Sequence, residues 1–352
     1  MLNNIDFDLI ILLLLSTIIL SIILAAISIK FAPRAGLMDY PNSAAHKIHK
    51  NAIPLTGGIV IIDSLLIIIF ITGIWELKDI LPILVSGIII SVFGVIDDFV
   101  HLSPAKKIVG QFSGAVILIS MGVQINIFDS PEFFYRTETY FDNWLNYTFT
   151  ILWLITLTNA FNFIDSIDGL VLGISGLSTA FFLVMSISTG QVHLVYFCAI
   201  LLGVCIGIYF FNAFPAKLFL GDSGAQSLGF ILGAFAIVFR PDSGFQSSTW
   251  FVPILLFYVP LFDLMLVVIS RLRRKKRIYE ASKDHTYHRL VLMGFSEQHA
   301  VLFLHGACLC MSMIGYLCLS LPVINANIIF LLSVLLGIIA IIKLEEEFSY
   351  HV

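Results

Sequence analysis

Eleven apolar runs, each near the roughly 20 residues that cross a bilayer's hydrocarbon core, recur along this 352-residue chain. They fall at 8–30, 57–74, 79–97, 107–124, 147–163, 170–189, 191–212, 224–239, 250–272, 298–320 and 324–343. Hydrocarbon offers no partner to backbone N–H and C=O groups, so runs of this length must be helices that bond internally. The expected fold class is therefore an all-α polytopic integral membrane protein with about eleven transmembrane helices. The composition agrees: 12% of residues are charged, against roughly 25% in a soluble domain. No linker, repeat or low-complexity tract divides the chain, and residues 1–352 are expected to form a single membrane-embedded domain. Residues 1–8 carry no Lys or Arg and the first run is too long for a signal peptide core, so it reads as an uncleaved first helix.

Lys and Arg placement sets the orientation. With the N-terminus outside, the outer loops hold only Lys78, Arg136 and Arg240, and the other sixteen of nineteen basic residues lie inside. The expectation is N-out, C-in. The net charge of −4 is segregated by side, which gives no argument for a nucleic-acid partner. Cys198, Cys205, Cys308, Cys310 and Cys318 all lie in apolar runs without paired metal-ligand spacing and read as small core residues. The outer segment 123–147, aromatic and β-branched with Pro131, reads as a short hairpin or interfacial stretch.

The inner loops hold the chemistry. Asp97 and Asp98 close the third run, with Lys106 and Lys107 one short loop later. Adjacent carboxylates beside an ammonium suit metal binding or proton transfer, although alone they would be a solvated helix end. Asn159, Asn162, Asp165 and Asp168 follow at three-residue steps, so a helical turn points all four one way. One of the two acids would also serve as an N-cap. Around Asp222, in Phe219-Leu220-Gly221-Asp222-Ser223-Gly224, glycines permit close backbone approach, and the following helix N-terminus favours an anion.

The basic run Arg271–Arg277 reads as a positive-inside anchor on anionic lipid, while His285, His288 and Arg289 just beyond it suit gripping a phosphate or passing a proton. In the first inner loop, Lys50 and the Gly57-Gly58 pair suit a turn against a phosphate. Asp63 and Asp263 are exceptions, since both fall within apolar runs.

With these motifs in place, the chain resembles the polyprenyl-phosphate N-acetylhexosamine-1-phosphate transferases of glycosyltransferase family 4. It is closer to the branch that starts O-antigen, common-antigen and teichoic acid synthesis than to the phospho-MurNAc-pentapeptide translocases. The match covers nearly the whole chain. The family's acidic pair and lysine match Asp97, Asp98 and Lys107, and its Asn/Asp turn beside the uridine matches Asn159, Asn162, Asp165 and Asp168. Its Gly-Asp-x-Gly turn matches Gly221, Asp222 and Gly224, which implies Asp222 as the principal Mg²⁺ ligand (Mn²⁺ as a substitute) and Phe219 stacked on uracil. Its His-rich loop matches His285, His288 and Arg289, and its first loop matches Asp39, Pro41, Asn42, Lys47, His49 and Gly57-Gly58. The chain departs at His46, at Leu55-Thr56 and at Tyr287, where the family usually has Arg, Arg and His.

The resemblance implies transfer of a sugar 1-phosphate from a UDP-N-acetylhexosamine to undecaprenyl phosphate, with release of UMP, at the cytoplasmic face of the bacterial inner membrane. GlcNAc is the first expectation for the sugar, and N-acetylfucosamine or N-acetylquinovosamine the next. Expected catalytic residues are Asp97, Asp98, Asp222, His285 and His288; expected substrate contacts are Lys50, Lys107, Asn159, Asn162, Asp165, Asp168, Phe219 and Arg289. The bilayer is the surrounding partner, and a homodimer is expected from the family. The rival from another class is a cation-coupled transporter, which would place acids at the bilayer midplane on broken helices.

Overall fold

The computed structural model describes residues 5–41, 51–128, 140–240, 250–277 and 284–351. They form thirteen α-helices, one 3-10 turn and a two-residue antiparallel ladder of β1 (Met38–Asp39) with β2 (Ile53–Pro54). The helices are α1 (Phe7–Ala35), α2 (Gly57–Thr72), α3 (Ile80–Val100), α4 (Pro104–Ser120), α5 (Tyr140–Ile164), α6 (Leu170–Thr189) and α7 (Val192–Asn212). Then come α8 (Gly221–Val238), α9 (Val252–Leu256), α10 (Tyr258–Arg273), α11 (Thr286–Leu292), α12 (Glu297–Cys318) and α13 (Val323–His351). Eight are long and apolar enough to cross a membrane, and α2 is a shorter apolar helix. The chain is thus a multi-pass, nearly all-helical membrane protein. Lys50 and the rest of 42–50 lie outside the described residues, as do residues 129–139 of the expected outer segment.

Helix α8 is the centre of the bundle, with every residue from Ser223 to Val238 buried. It packs on α3 and α5, while α7 is clasped by α1 and α6. Small residues allow these approaches, as between membrane helices in general. A Cβ on Gly203 of α7 would stand 2.8 Å from the Leu14 carbonyl oxygen of α1, and one on Gly229 of α8 2.7 Å from the Leu157 carbonyl oxygen of α5. Gly203→Val is therefore expected to force α1 and α7 apart, at a cost of about 1–3 kcal/mol, read as a lower melting temperature in detergent; an unchanged melting temperature would remove α1–α7 packing as a source of stability.

The ninth expected span, 250–272, is two helices, because Pro260 has no N–H to give the carbonyl of Leu256. That carbonyl instead accepts from Ser178 Oγ of α6 at 3.1 Å. Sideways satisfaction of this kind is what permits a break within a bilayer. A further short helix, α11, stands in the loop that carries the histidines.

Candidate active site

The polar groups gather where α3 ends, α4 begins, α5 ends and α8 begins. Chain direction alternates through these connections, so all four reach the same end of the bundle. The turn that leads into α8 is held first by main chain. Phe219 N–H donates to the Pro54 carbonyl at 2.8 Å, and Gly57 and Gly58 N–H donate to the carbonyls of Phe219 and Leu220 at 3.0 and 3.1 Å. A Cβ on Gly58 would lie 2.4 Å from Gly224 N, and one on Gly94 of α3 2.4 Å from Ser223 Cα. The glycine pair that suits a turn against a phosphate makes these main-chain contacts with the head of α8.

Asp98 closes the same turn from α3. Its Oδ1 accepts from Asp222 N–H at 2.7 Å, and its Oδ2 accepts from Ser223 N–H at 3.2 Å and Ser223 Oγ at 2.7 Å. Gly221 has φ +70°, and a Cβ there would be 2.7 Å from Asp98 Oδ2, which accounts for the glycine. The N-terminus of α8 is therefore capped by a carboxylate from another helix, so the anion expected at this helix start is the protein's own.

Asp97 and Asp222 meet on Lys107. The Lys107 ammonium is paired with Asp97 Oδ2, and it donates to Asp222 Oδ2 at 3.0 Å. Asp97 Oδ1 accepts from Leu102 N–H at 2.6 Å, and Asp222 Oδ1 accepts from Asn162 Nδ2 at 2.5 Å. Asp165 follows Asn162 just past α5. Burial, then the carboxylates of Asp222, Asp98 and Asp168, push its pKa well above the usual range.

Asn159 lies one turn deeper. Its Nδ2 donates to Gln111 Oε1 at 2.8 Å, and Gln111 Nε2 donates to Gln226 Oε1 at 3.1 Å. The residues Lys107 and Gln111, Asn162 and Asn159, and Asp222 and Gln226 thus form two polar layers on α4, α5 and α8. Asp168 braces the approach to α8, accepting from Ala216 N–H at 2.9 Å. The half-buried Phe219 stands in that approach, beside the cluster.

The histidine turn adjoins the α5 end. The His285 ring lies edge-on to Phe163 with centroids 6.2 Å apart, and Tyr287 Oη donates to the Ser166 carbonyl at 3.3 Å. His285 Nδ1 is 2.8 Å from Asp263 Oδ2, while Asp263 Oδ1 accepts from Thr286 N–H and Oγ1 at 2.6 and 2.7 Å. Asp263, a carboxylate that a transporter would use for cargo, here caps α11. His288 Nε2 is 2.6 Å from the Tyr287 hydroxyl. Arg289 is placed away from the acidic cluster, with its guanidinium on the Asp284 and Leu344 carbonyls, Ser270 Oγ and Glu345.

Three residues carry local structure that their sequence positions did not announce: Gln111, Gln226 and Glu345. For the two glutamines a signal existed, as each sits one turn from a motif residue, at i+4 from Lys107 and Asp222.

A divalent cation suits the donor set. Asp97, Asp98, Asp165 and Asp222 are hard oxygen donors, and Lys107 is the cation that an ion pair places among them in the described residues. Among those residues, no three acidic, histidine or cysteine side chains are grouped as ligands. With Asp98 used on the helix cap, Asp222 and Asp97 are the pair best suited to hold the cation.

Comparison with known proteins places the chain in company. Residues 80–240, from α3 through α8, match the model for glycosyl transferase family 4. A "probable undecaprenyl-phosphate N-acetylglucosaminyl 1-phosphate transferase" of Bacillus subtilis is 30% identical over 93% of this chain and 89% of its own length. A decaprenyl-phosphate N-acetylglucosaminephosphotransferase of Mycobacterium tuberculosis is 27% identical over 78% of this chain and 74% of its own. A phospho-N-acetylmuramoyl-pentapeptide-transferase of Halalkalibacterium halodurans is 29% identical over 82% and 90%.

Proposed function

Since the chain belongs to glycosyl transferase family 4 and is a multi-pass membrane phosphotransferase, we propose that it moves N-acetylglucosamine 1-phosphate from UDP-N-acetylglucosamine to undecaprenyl phosphate. UMP is the second product, and the reaction opens synthesis of a cell-surface polysaccharide at the cytoplasmic side of the bacterial inner membrane. The observation that carries the proposal is the meeting of Asp97, Lys107, Asn162 and Asp222 at one end of the bundle. A soluble nucleotide sugar and a membrane-anchored phosphate can both reach such a boundary.

A phosphate oxygen of the lipid attacks the β-phosphorus of the UDP-sugar. The bond from that phosphorus to the bridging oxygen breaks, and UMP leaves with the electron pair. A Mg²⁺ ion, held by Asp222 with Asp97 beside it, would supply charge neutralisation to the diphosphate. Lys107 keeps the two carboxylates aimed and adds positive charge where the leaving phosphate gathers negative charge. Asn162 fixes the Asp222 carboxylate from its other oxygen. Asp98 acts through the main chain by setting the turn that presents Asp222. Phe219 offers a ring to the uracil, and His285 and His288 face the sugar phosphate. The lipid phosphate's second pKa is about 6, so little proton removal by Asp97 is needed at neutral pH.

Purified protein with undecaprenyl phosphate and Mg²⁺ is expected to release UMP from UDP-GlcNAc faster than from other UDP-N-acetylhexosamines. No release from any of them, by folded protein, would sink the proposal. Direct attack is the expected route, because the lipid phosphate is already largely ionised at neutral pH and needs no covalent relay. Labelled UMP should then fail to exchange into UDP-GlcNAc without a lipid acceptor; exchange would reveal a carboxylate nucleophile.

A further inference from the structure

Helix α13 touches the bundle unevenly. In its apolar part Ile324, Leu331 and Leu335 are exposed, and a groove of about 330 Å³ between it and α10, lined by Met265, Ile269, Ile338 and Ile342, reaches as far as Arg273 and Glu345. At its polar end the pattern reverses, with Glu345 and Phe348 buried. Glu345 Oε1 is 2.6 Å from Arg289 Nη2 and 3.8 Å from Arg274 Nη2, and its Oε2 is 3.3 Å from Arg273 Nη1. The Phe348 ring lies under the guanidinium groups of Arg274 and Arg289, at 4.4 and 4.6 Å.

Arg289 belongs to α11, whose first turn begins at His285. Besides Glu345, it grips the Leu344 carbonyl of α13 at 2.9 Å, Ser270 Oγ of α10 at 2.9 Å and the Asp284 carbonyl, just before His285, at 2.9 Å. The histidine turn is therefore held twice, by Asp263 at its start and through Arg289 by the end of α13. Burying this much charge is a poor way to gain stability, since apolar residues of similar volume serve as well or better. What a forked guanidinium gives is fixed orientation.

We propose that the last turns of α13 are a positioning element for the transfer site: Glu345 and Phe348 hold Arg289, and Arg289 sets the turn that presents His285 and His288. The proposal rests on the reading that these histidines serve the transfer. Glu345 touches no substrate; it acts through Arg289.

The test uses the full chain carrying Glu345→Gln, Glu345→Asp or Phe348→Leu, with two readouts. In steady-state UMP release, Glu345→Gln is expected to lower kcat at least about tenfold with KM for the UDP-sugar within about twofold. Glu345→Asp should recover part of the loss, and Glu345→Gln combined with Arg289→Gln should cost little more than either alone, as for residues acting as one unit. The second readout needs no activity: acylation of His285 by diethyl pyrocarbonate, located by mass spectrometry, should speed up in Glu345→Gln and in the milder Phe348→Leu. His305, half-buried against α6, reports that the variant is folded by reacting at the wild-type rate. Unchanged kcat, or unchanged His285 labelling in folded variants, overturns the proposal. Faster labelling alongside a wild type that releases no UMP upholds the clamp and removes the transferase reading instead.

Discussion

Asp222→Asn is expected to lower UMP release by about a thousandfold, the scale of losing a central electrostatic group from a transfer site. The substitution preserves shape, and the amide can still meet Asn162 or Lys107. It removes the charge that lets this side chain hold a divalent cation and orient the lysine. The loss should fall on kcat, with affinity for UMP in the absence of metal unchanged. Titration with Mg²⁺ checks the cause, because wild type should saturate where the variant does not. Activity within tenfold of wild type at saturating Mg²⁺ would take Asp222 out of the chemistry.

Lys107→Met should cost nearly as much, about a hundredfold or more, for a different reason. The ammonium stands between two carboxylates, and like charges about 4 Å apart at an effective dielectric near 20 repel by on the order of 4 kcal/mol. Without it, Asp97 and Asp222 push apart and the donor arrangement at the head of α8 is lost. Lys107→Arg should not restore the rate, since a planar fork replaces a compact charge in a space already set by Asp97, Asp222 and Leu102. Full recovery with Arg would mean that only the charge matters there.

The sequence announced the location of this site because charge is costly near hydrocarbon, so acids at the ends of apolar runs stand out. Asp97, Lys107, Asn162 and Asp222 converge as their motifs suggested. Roles were less legible than positions. Asp97 and Asp98 are neighbours of the same type, yet one faces the lysine and the other caps a helix that starts more than a hundred residues later. Arg289 read as a phosphate ligand by company, and its ties to Leu344 and Glu345 depend on a helix end that carries no motif. Gly57 and Gly58 read as a turn for a ligand, because a glycine pair looks alike whether it admits a phosphate or another stretch of main chain. Asp263 stood out as a mid-helix acid, and only the folded-back α11 supplies the three groups that satisfy it.

The turn before Asp222 takes its position from the main chain of Gly57, Gly58 and Gly94, and its cap from Asp98. A ribosome delivers those parts long before it delivers the turn. During synthesis, Asp97, Asp98 and Lys107 enter the membrane with the groove beside them still open, and seven helices wait for the eighth to close it. The half-built bundle thus keeps Asp97 paired with Lys107 and leaves Asp98 waiting for the Asp222 and Ser223 N–H groups that only the eighth helix brings.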